Sequence, residues 1–132
     1  MNKEMKVAKA LSLAKQWQEC GSRVTCTPAP MNTDKDYILL VDTDKWQKFN
    51  DYVSSDGWEL GGSNIPDENN ILPAEKRFLS FTYYEHNLIV TRSEVFYKRF
   101  IAATYVAKRL NLLVKADRIA LFQAVLYANI YE

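Results

Sequence analysis

The amino-acid sequence predicts an α+β fold, in which a small mixed β-sheet is flanked by helices and followed by a helical C-terminal half. Three observations support this prediction: an unbroken apolar run at residues 37–41, a second strand-like pattern at residues 77–91, and two long helical patterns after residue 93. Strands grouped between helices are typical of the α+β class. The length of 132 residues suits a single domain over residues 1–132.

The composition excludes several classes of protein. Apolar residues make up 48% of the chain and charged residues 25%, which is typical of a soluble globular protein. Seventeen Lys and Arg against sixteen Asp and Glu leave a net charge of +1, so no overall field attracts nucleic acid or membrane. Cys20 and Cys26 are too few for a disulfide framework. With no apparent signal peptide and no apolar run long enough to span a bilayer, we expect reduced thiols and a cytoplasmic location.

The N-terminal third is predicted to contain one helix and two strands. Residues 3–18 follow the helical period and end before Gly21, a residue that often terminates helices. The helix carries lysines around its other sides, which indicate a solvated face or, alternatively, a phosphate-contacting face: Lys3, Lys6, Lys9 and Lys15. A short strand is predicted over residues 23–27. The central strand at residues 36–42 is apolar throughout, so we expect it to be buried on both faces.

The remaining elements are predicted from the same periodicities. They are a helix, a short strand, a surface loop, two hairpin strands and two helices, over residues 44–55, 58–60, 61–76, 77–84, 87–91, 94–112 and 116–131. His86 falls at the predicted hairpin turn. We expect it to be an exposed turn residue, because one histidine without partners is not a catalytic triad.

A pair of carboxylates precedes the central strand. Asp34 and Asp36 are two residues apart, so in a strand they project to the same side. Two carboxylates held close together repel each other unless a cation lies between them, which makes this edge a candidate metal site. The alternative is an Asp-rich turn, since Asn32 and Thr33 before Asp34 are favourable turn residues.

These residues resemble the signature of a known superfamily. Gly21-Ser22, an intervening loop and Asp34-x-Asp36 entering an apolar strand resemble the signature of polymerase-β-type nucleotidyltransferases. Three segments are similar to small proteins of tailed bacteriophages described as nucleotidyltransferases: GSRVTCTPAPMNTDKDYILLV, NLIVTRSEVFYKRFIAATYVAKRLNL and KADRIALFQAVLYAN. Together these segments cover more than half of the chain beyond residue 20. The resemblance implies a nucleotidyltransferase-like fold.

The resemblance also implies a mechanism. Asp34 and Asp36 would be catalytic and would hold Mg²⁺, which binds carboxylates together with substrate phosphates. Gly21 would let the backbone approach the triphosphate, and Ser22 would donate a hydrogen bond to a phosphate oxygen. Active members complete the metal site with an acid on a neighbouring strand, and here Asn87 stands at that position.

Other residues are candidates for supporting roles. Glu85, two residues before Asn87, is a substitute metal ligand if both lie on one strand face. Arg23 follows the Gly-Ser pair directly, and Lys115 and Arg118 lie near the junction of the last two helices, so these three are candidate triphosphate-binding residues.

Two functions follow from the resemblance. The first is an Mg²⁺-dependent transfer of a nucleoside monophosphate from a nucleoside triphosphate to a hydroxyl of an RNA, a protein or a small molecule. The second is a catalytically degenerate phage protein that binds nucleotide or a host protein in the host cytoplasm, for example to counter host defence. The substitution of an acid by Asn87 is the feature that separates them, because an amide brings no charge and cannot act as a base.

Overall fold

A mixed β-sheet with helices on both faces forms the protein, in a computed structural model that describes residues 1–31, 34–61 and 78–127. The helices are α1 (Lys3–Ser12), α2 (Ser22–Thr25), α3 (Trp46–Ser55), α4 (Glu94–Leu110) and α5 (Lys115–Tyr127), with a 3-10 turn at Thr43–Lys45 before α3. The strands are β1 (Gln16–Cys20), β2 (Lys35–Leu40), β3 (Glu59–Gly61), β4 (Phe78–Tyr83) and β5 (His86–Thr91). The predicted α+β class with a small mixed sheet is therefore confirmed.

The five described strands lie in the order β1-β2-β5-β4-β3. Only β2 and β5 are parallel, and the other neighbouring strands are antiparallel. Because β2 and β5 run in the same direction, their N-terminal ends meet at one edge of the sheet. The residues that begin these two strands are therefore brought together.

Both faces of the sheet are covered by apolar side chains. One face packs against α1 and α3 through residues that include Leu39, Val41, Leu88 and Val90. The other packs against α4 and α5 through residues that include Cys20, Ile38, Leu40 and Phe100. Ile38 and Leu39 are each 0% exposed although they point to opposite faces. This confirms the prediction that the central strand is buried on both sides.

The predicted helix over residues 3–18 is wrong in its second half. Helix α1 ends at Ser12, and residues 16–20 form β1 instead. This strand pairs with β2 from Gln16↔Leu40 to Cys20↔Asp36. The paired residues are far apart in the sequence, so a local pattern does not reveal the pairing. Its backbone hydrogen bonds outweigh the local helical pattern.

The predicted strand over residues 23–27 is also wrong. Gly21 has a φ of 77°, which turns the chain after β1, and the short helix α2 follows at once. The Cys26 amide donates to the Ser22 carbonyl at 3.0 Å and completes the last turn of α2.

The lysines of α1 do not form a simple solvated face. The ammonium groups of Lys3, Lys6 and Lys9 lie over tyrosine rings, at 5.4, 5.5 and 5.3 Å from the ring centres of Tyr84, Tyr83 and Tyr52. Cations over aromatic faces are attracted by the ring quadrupole. These lysines thus contact the aromatic rings of neighbouring elements, and of the three only Lys9 is exposed as a solvated face predicts, whereas Lys3 and Lys6 are half-buried.

The predicted hairpin is present, but its turn lies one residue earlier, at positions 84–85. His86 consequently begins β5 and is only 6% exposed, so the prediction of an exposed turn histidine is wrong. Its ring stacks on Tyr37 of the neighbouring strand, with 6.1 Å between ring centres.

Several predictions fall outside the described residues. These concern the Asn32-Thr33 part of the acidic turn, the surface loop from residue 62 onward, and the end of the last helix beyond residue 127. In the described part of the chain, no helix has the length and apolar character that crossing a bilayer requires.

Candidate functional site

The candidate site lies where β2 and β5 begin. In the register of the sheet, Asp36 is paired with Cys20 on one side and with Asn87 on the other, and Asn87 is paired with Thr82. Directly paired residues share a face of the sheet. Asp36 and Asn87 therefore lie side by side on the face covered by α4 and α5, next to the buried Cys20.

The Asn87 side chain joins the two carboxylates. Its Nδ2 donates to Oδ1 of Asp36 at 2.9 Å and to Oδ2 of Asp34 at 3.2 Å. Its Oδ1 accepts a hydrogen bond from the Thr82 hydroxyl at 3.0 Å. Ionised carboxylates can only accept, so the amide nitrogen must face them. The amide N–H groups thus occupy the position between the carboxylates, and the Asn87 carbonyl points to Thr82.

Asp36 is a half-buried acid whose pKa is shifted by its surroundings. Burial raises its pKa above the usual 3.8, and the negative charges of Asp34 and Glu19 act in the same direction. The hydrogen bond from Asn87 and the positive charge of Lys115 oppose this rise in pKa. Asp34 and Lys115 therefore both lie close enough to Asp36 to affect the pKa of its carboxyl.

Gly21 lies directly against the Asp36 carboxylate. A Cβ placed on Gly21 would meet Oδ2 of Asp36 and would lie 2.8 Å from its Cγ and 2.9 Å from its Cβ. Gly21 also has a positive φ of 77°. Both constraints require glycine at this position, and the Gly21 backbone lies at the carboxylate edge.

The three candidate basic residues have different positions. Lys115 begins α5 and is exposed, with its charge acting on Asp36. Arg23 is exposed on α2, where its charge opposes the burial that raises the pKa of Tyr37.

Arg118 has a different role from the one predicted. Its Nη1 donates to the Leu112 carbonyl at 2.8 Å and contacts the Cys26 sulfur at 3.4 Å. The guanidinium therefore binds the protein's own backbone, and its prediction as a triphosphate contact is not supported by this geometry.

Glu85 does not join the carboxylate pair. It lies in the hairpin turn rather than on β5, so it does not share a strand face with Asn87. Its carboxylate lies 2.8 Å from the ammonium nitrogen of Lys3 and 3.3 Å from Nε2 of His86. The hydrogen bond from Lys3 lowers the pKa of Glu85 to about 2. The prediction of Glu85 as a substitute metal ligand therefore conflicts with its ion pair to α1.

Asp34 and Asp36 are the candidate ligands for a hard cation at this edge. Two carboxylate oxygens surround a single amide nitrogen, which shows that both can reach one centre. Among the described residues, no group of three or more His, Cys, Asp or Glu side chains could hold a metal ion. Mg²⁺ commonly uses one or two protein carboxylates, with water and substrate phosphates as its other ligands. Asp34 and Asp36 fit that arrangement.

One contributor to the site was missed from the sequence. Thr82 holds the Asn87 carbonyl, and its position follows from the hairpin register, in which Tyr83 pairs with His86 and Thr82 with Asn87. A two-residue turn at Tyr84-Glu85 would have given that pairing, because turn length sets the register of a hairpin. The predicted turn was one residue too late to show it.

Comparison of the chain with protein-family models, with curated proteins and with solved structures finds no match.

Proposed function

We propose that this protein is a nucleotidyltransferase-like domain that binds a nucleoside triphosphate with one Mg²⁺ at the carboxylate edge. The reaction of such a site is the transfer of a nucleoside monophosphate from the triphosphate to a hydroxyl acceptor, with release of pyrophosphate. The observation that carries the proposal is the convergence of Asp34, Asp36 and the Gly21 backbone at the start of β2. The resemblance in these residues supports the same function.

Each residue has a physical task in this proposal. Asp34 and Asp36 would hold Mg²⁺, which neutralises phosphate charge when it is bound. Gly21 lets the backbone approach the Asp36 carboxylate closely because it has no side chain. Lys115 supplies a positive charge on the same side as Asp36. Catalysis by such a site consists mainly of positioning and charge neutralisation.

A second candidate function is favoured by Asn87. Two-ion transfer places the ions roughly 3.5–4 Å apart between several carboxylates. Here the third position donates hydrogen bonds to Asp34 and Asp36 instead of adding a negative charge. That arrangement favours a protein that binds nucleotide, or a host protein, at this edge without turnover. For a phage-encoded protein this would take place in the host cytoplasm.

One set of measurements tests the proposal. Binding of a non-hydrolysable triphosphate is measured by calorimetry in MgCl2 and in EDTA, and transfer is followed by labelled nucleotide and by pyrophosphate release. We expect Asp34→Ala and Asp36→Ala to weaken Mg²⁺-dependent binding at least tenfold, or about 1.4 kcal/mol. Asp44→Ala, which removes an exposed carboxylate from the 3-10 turn, is the matched control and should bind normally.

The outcomes separate the two functions. Release of pyrophosphate that depends on Asp36 supports the transferase, whereas Mg²⁺-dependent binding without release supports the degenerate binding protein. If both variants bind as tightly as the native protein, the site assignment is wrong and both functions fall.

A further inference from the structure

We propose that Arg118 and Asn111 are positioning residues, which hold the Gly21-Ser22 backbone and Lys115 in place around Asp36. They do so through a set of contacts between the end of α2 and the α4–α5 turn, which we call the clasp: Arg118 and Leu112 with Cys26, and Asn111 with Thr27. The inference rests on the proposed function for its effect on nucleotide binding, and on the contacts below for its geometry.

Arg118 forms the first half of the clasp. Its Nη1 lies 2.8 Å from the Leu112 carbonyl and 3.4 Å from the Cys26 sulfur, and that sulfur lies 3.7 Å from the same carbonyl. Cys26 is 5% exposed, so this contact is shielded from water. A hydrogen bond from a charged donor in a shielded position is among the stronger ones. Arg118 thereby ties α5 to the segment that follows α2.

Asn111 forms the second half. Its Oδ1 accepts from the Thr27 amide at 3.0 Å, and its Nδ2 donates to the Thr27 carbonyl at 3.3 Å. One side chain thus satisfies both backbone groups of one residue. Asn111 has a left-handed backbone with φ 48° at the end of α4, a conformation that asparagine tolerates better than most residues. The backbone and the side chain of this residue both suit the clasp.

The clasp can act on the site because the connections are short. Helix α2 is only four residues long, so its start at Gly21, against Asp36, lies close to its end at Cys26, in the clasp. On the other side, Lys115 lies one helical turn before Arg118 in α5. Loss of the clasp contacts would therefore move the Gly21 backbone and Lys115 relative to Asp36, although neither Arg118 nor Asn111 contacts the carboxylates.

The experiment uses the full chain with Arg118→Ala and Asn111→Gly. Glycine keeps the left-handed backbone at position 111 and removes only the side-chain contacts, so its effect is free of backbone strain. We expect each variant to weaken binding of the Mg²⁺ complex of a non-hydrolysable triphosphate about five- to tenfold. Lys115→Ala should reduce this affinity less in the Arg118→Ala variant than in the native protein, because Lys115 is already displaced when Arg118 is removed.

A second measurement is independent of nucleotide. Amide hydrogen exchange of residues 21–25 should accelerate in both variants, while exchange in β4 stays unchanged, since local opening follows the contacts that are lost. The control is Val53→Ala, which creates a cavity on the opposite face of the sheet. It should lower stability without changing nucleotide affinity or exchange at residues 21–25.

These arms distinguish the failure of this inference from that of the proposed function. If the native protein binds no triphosphate, the proposed function falls, and hydrogen exchange alone decides the clasp. Unchanged exchange at residues 21–25 in both variants would overturn the clasp. It would also be overturned if the effects of Arg118→Ala and Lys115→Ala on affinity simply added, because additive effects indicate independent sites.

Discussion

The substitution Asn87→Asp tests the electrostatic description of the site most directly, because it changes the bridging amide into a third carboxylate. The amide nitrogen now lies 2.9 Å from an oxygen of Asp36 and 3.2 Å from an oxygen of Asp34. Hydrogen bonds to charged groups stabilise the fold by roughly 1.5–3 kcal/mol each. Because Asp34 is exposed to solvent, its hydrogen bond contributes about 1.5 kcal/mol or less. Aspartate removes both donors and adds a negative charge at the same place.

The cost can be worked out from these distances. Two like charges about 4 Å apart repel by about 4 kcal/mol at an effective dielectric constant of about 20. Protonation of one carboxyl limits this cost, since each unit by which a pKa rises corresponds to about 1.36 kcal/mol. We therefore expect Asn87→Asp to lower the free energy of unfolding in EDTA by about 2–4 kcal/mol. For a domain of this size each kcal/mol lowers Tm by about 3–5 °C.

Mg²⁺ should reverse part of this loss. At 10 mM MgCl2 and a dissociation constant of about 1 mM, binding to the folded state restores about 1.4 kcal/mol. Urea denaturation at neutral pH, with EDTA or with MgCl2, measures both effects. Asn87→Ala is the comparison variant, because it removes the donors without adding a charge and should therefore gain less stability from Mg²⁺ than Asn87→Asp does. The reasoning is refuted if Asn87→Asp is as stable as the native protein in EDTA and is unaffected by Mg²⁺.

Three further predictions concern single residues. Gly21→Ala should lower the free energy of unfolding, measured in urea, more than Gly57→Ala does. Both glycines have a positive φ, but only an alanine at position 21 would place its Cβ 2.8 Å from Cγ of Asp36. Equal losses of stability would contradict this close approach. Glu85→Gln should make the free energy of unfolding fall less as the pH decreases from 4.5 to 2. The folded pKa of Glu85 is about 2, against a usual 4.5, so the native carboxylate stabilises the fold above pH 4.5 and loses this effect as the pH falls towards 2. The same variant should keep Mg²⁺-dependent nucleotide binding, and a loss of binding would return Glu85 to the site. His86→Gln should reduce the loss of stability as the pH falls below 6.5, because burial lowers the pKa of His86 and its protonation favours the unfolded state; an unchanged slope between pH 7.5 and 5 would refute this.

The sequence was sufficient for the centre of the sheet and for one neighbour of Asp36, the strand that carries Asn87, but not for its other neighbour, Cys20. The apolar run of β2 predicts a strand buried on both faces, and the strand starting at Asn87 predicts a neighbour for it. Alternation within strands then places Asp34 and Asp36 on one side. The burial of β2 follows from a local pattern, whereas the resemblance implied the adjacency of β2 and the strand at Asn87, and both hold in the structure.

The edge strand β1 could not be predicted in the same way. Residues 16–20 continue the spacing of α1, and their strand conformation depends on pairing with β2, some twenty residues later. Arg118 is a similar case, since its partners Leu112 and Cys26 come from two separate segments. The charge and position of a residue indicate that it will find a partner, but tertiary structure decides whether that partner is a substrate or the backbone.

Under the proposed function, the hydrogen bonds of Asn87 predict that metal and nucleotide bind together. In the folded protein the amide already donates hydrogen bonds to Asp34 and Asp36, and the positive charge of Lys115 opposes the rise in the pKa of Asp36. Mg²⁺ must displace the amide from both oxygens, and this cost weakens its binding when it arrives alone. A triphosphate adds oxygen ligands that compensate for the missing third carboxylate. By linkage, the proposed function then predicts that each ligand raises the affinity for the other by the same factor, so cooperative binding of metal and nucleotide is the expected consequence of Asn87.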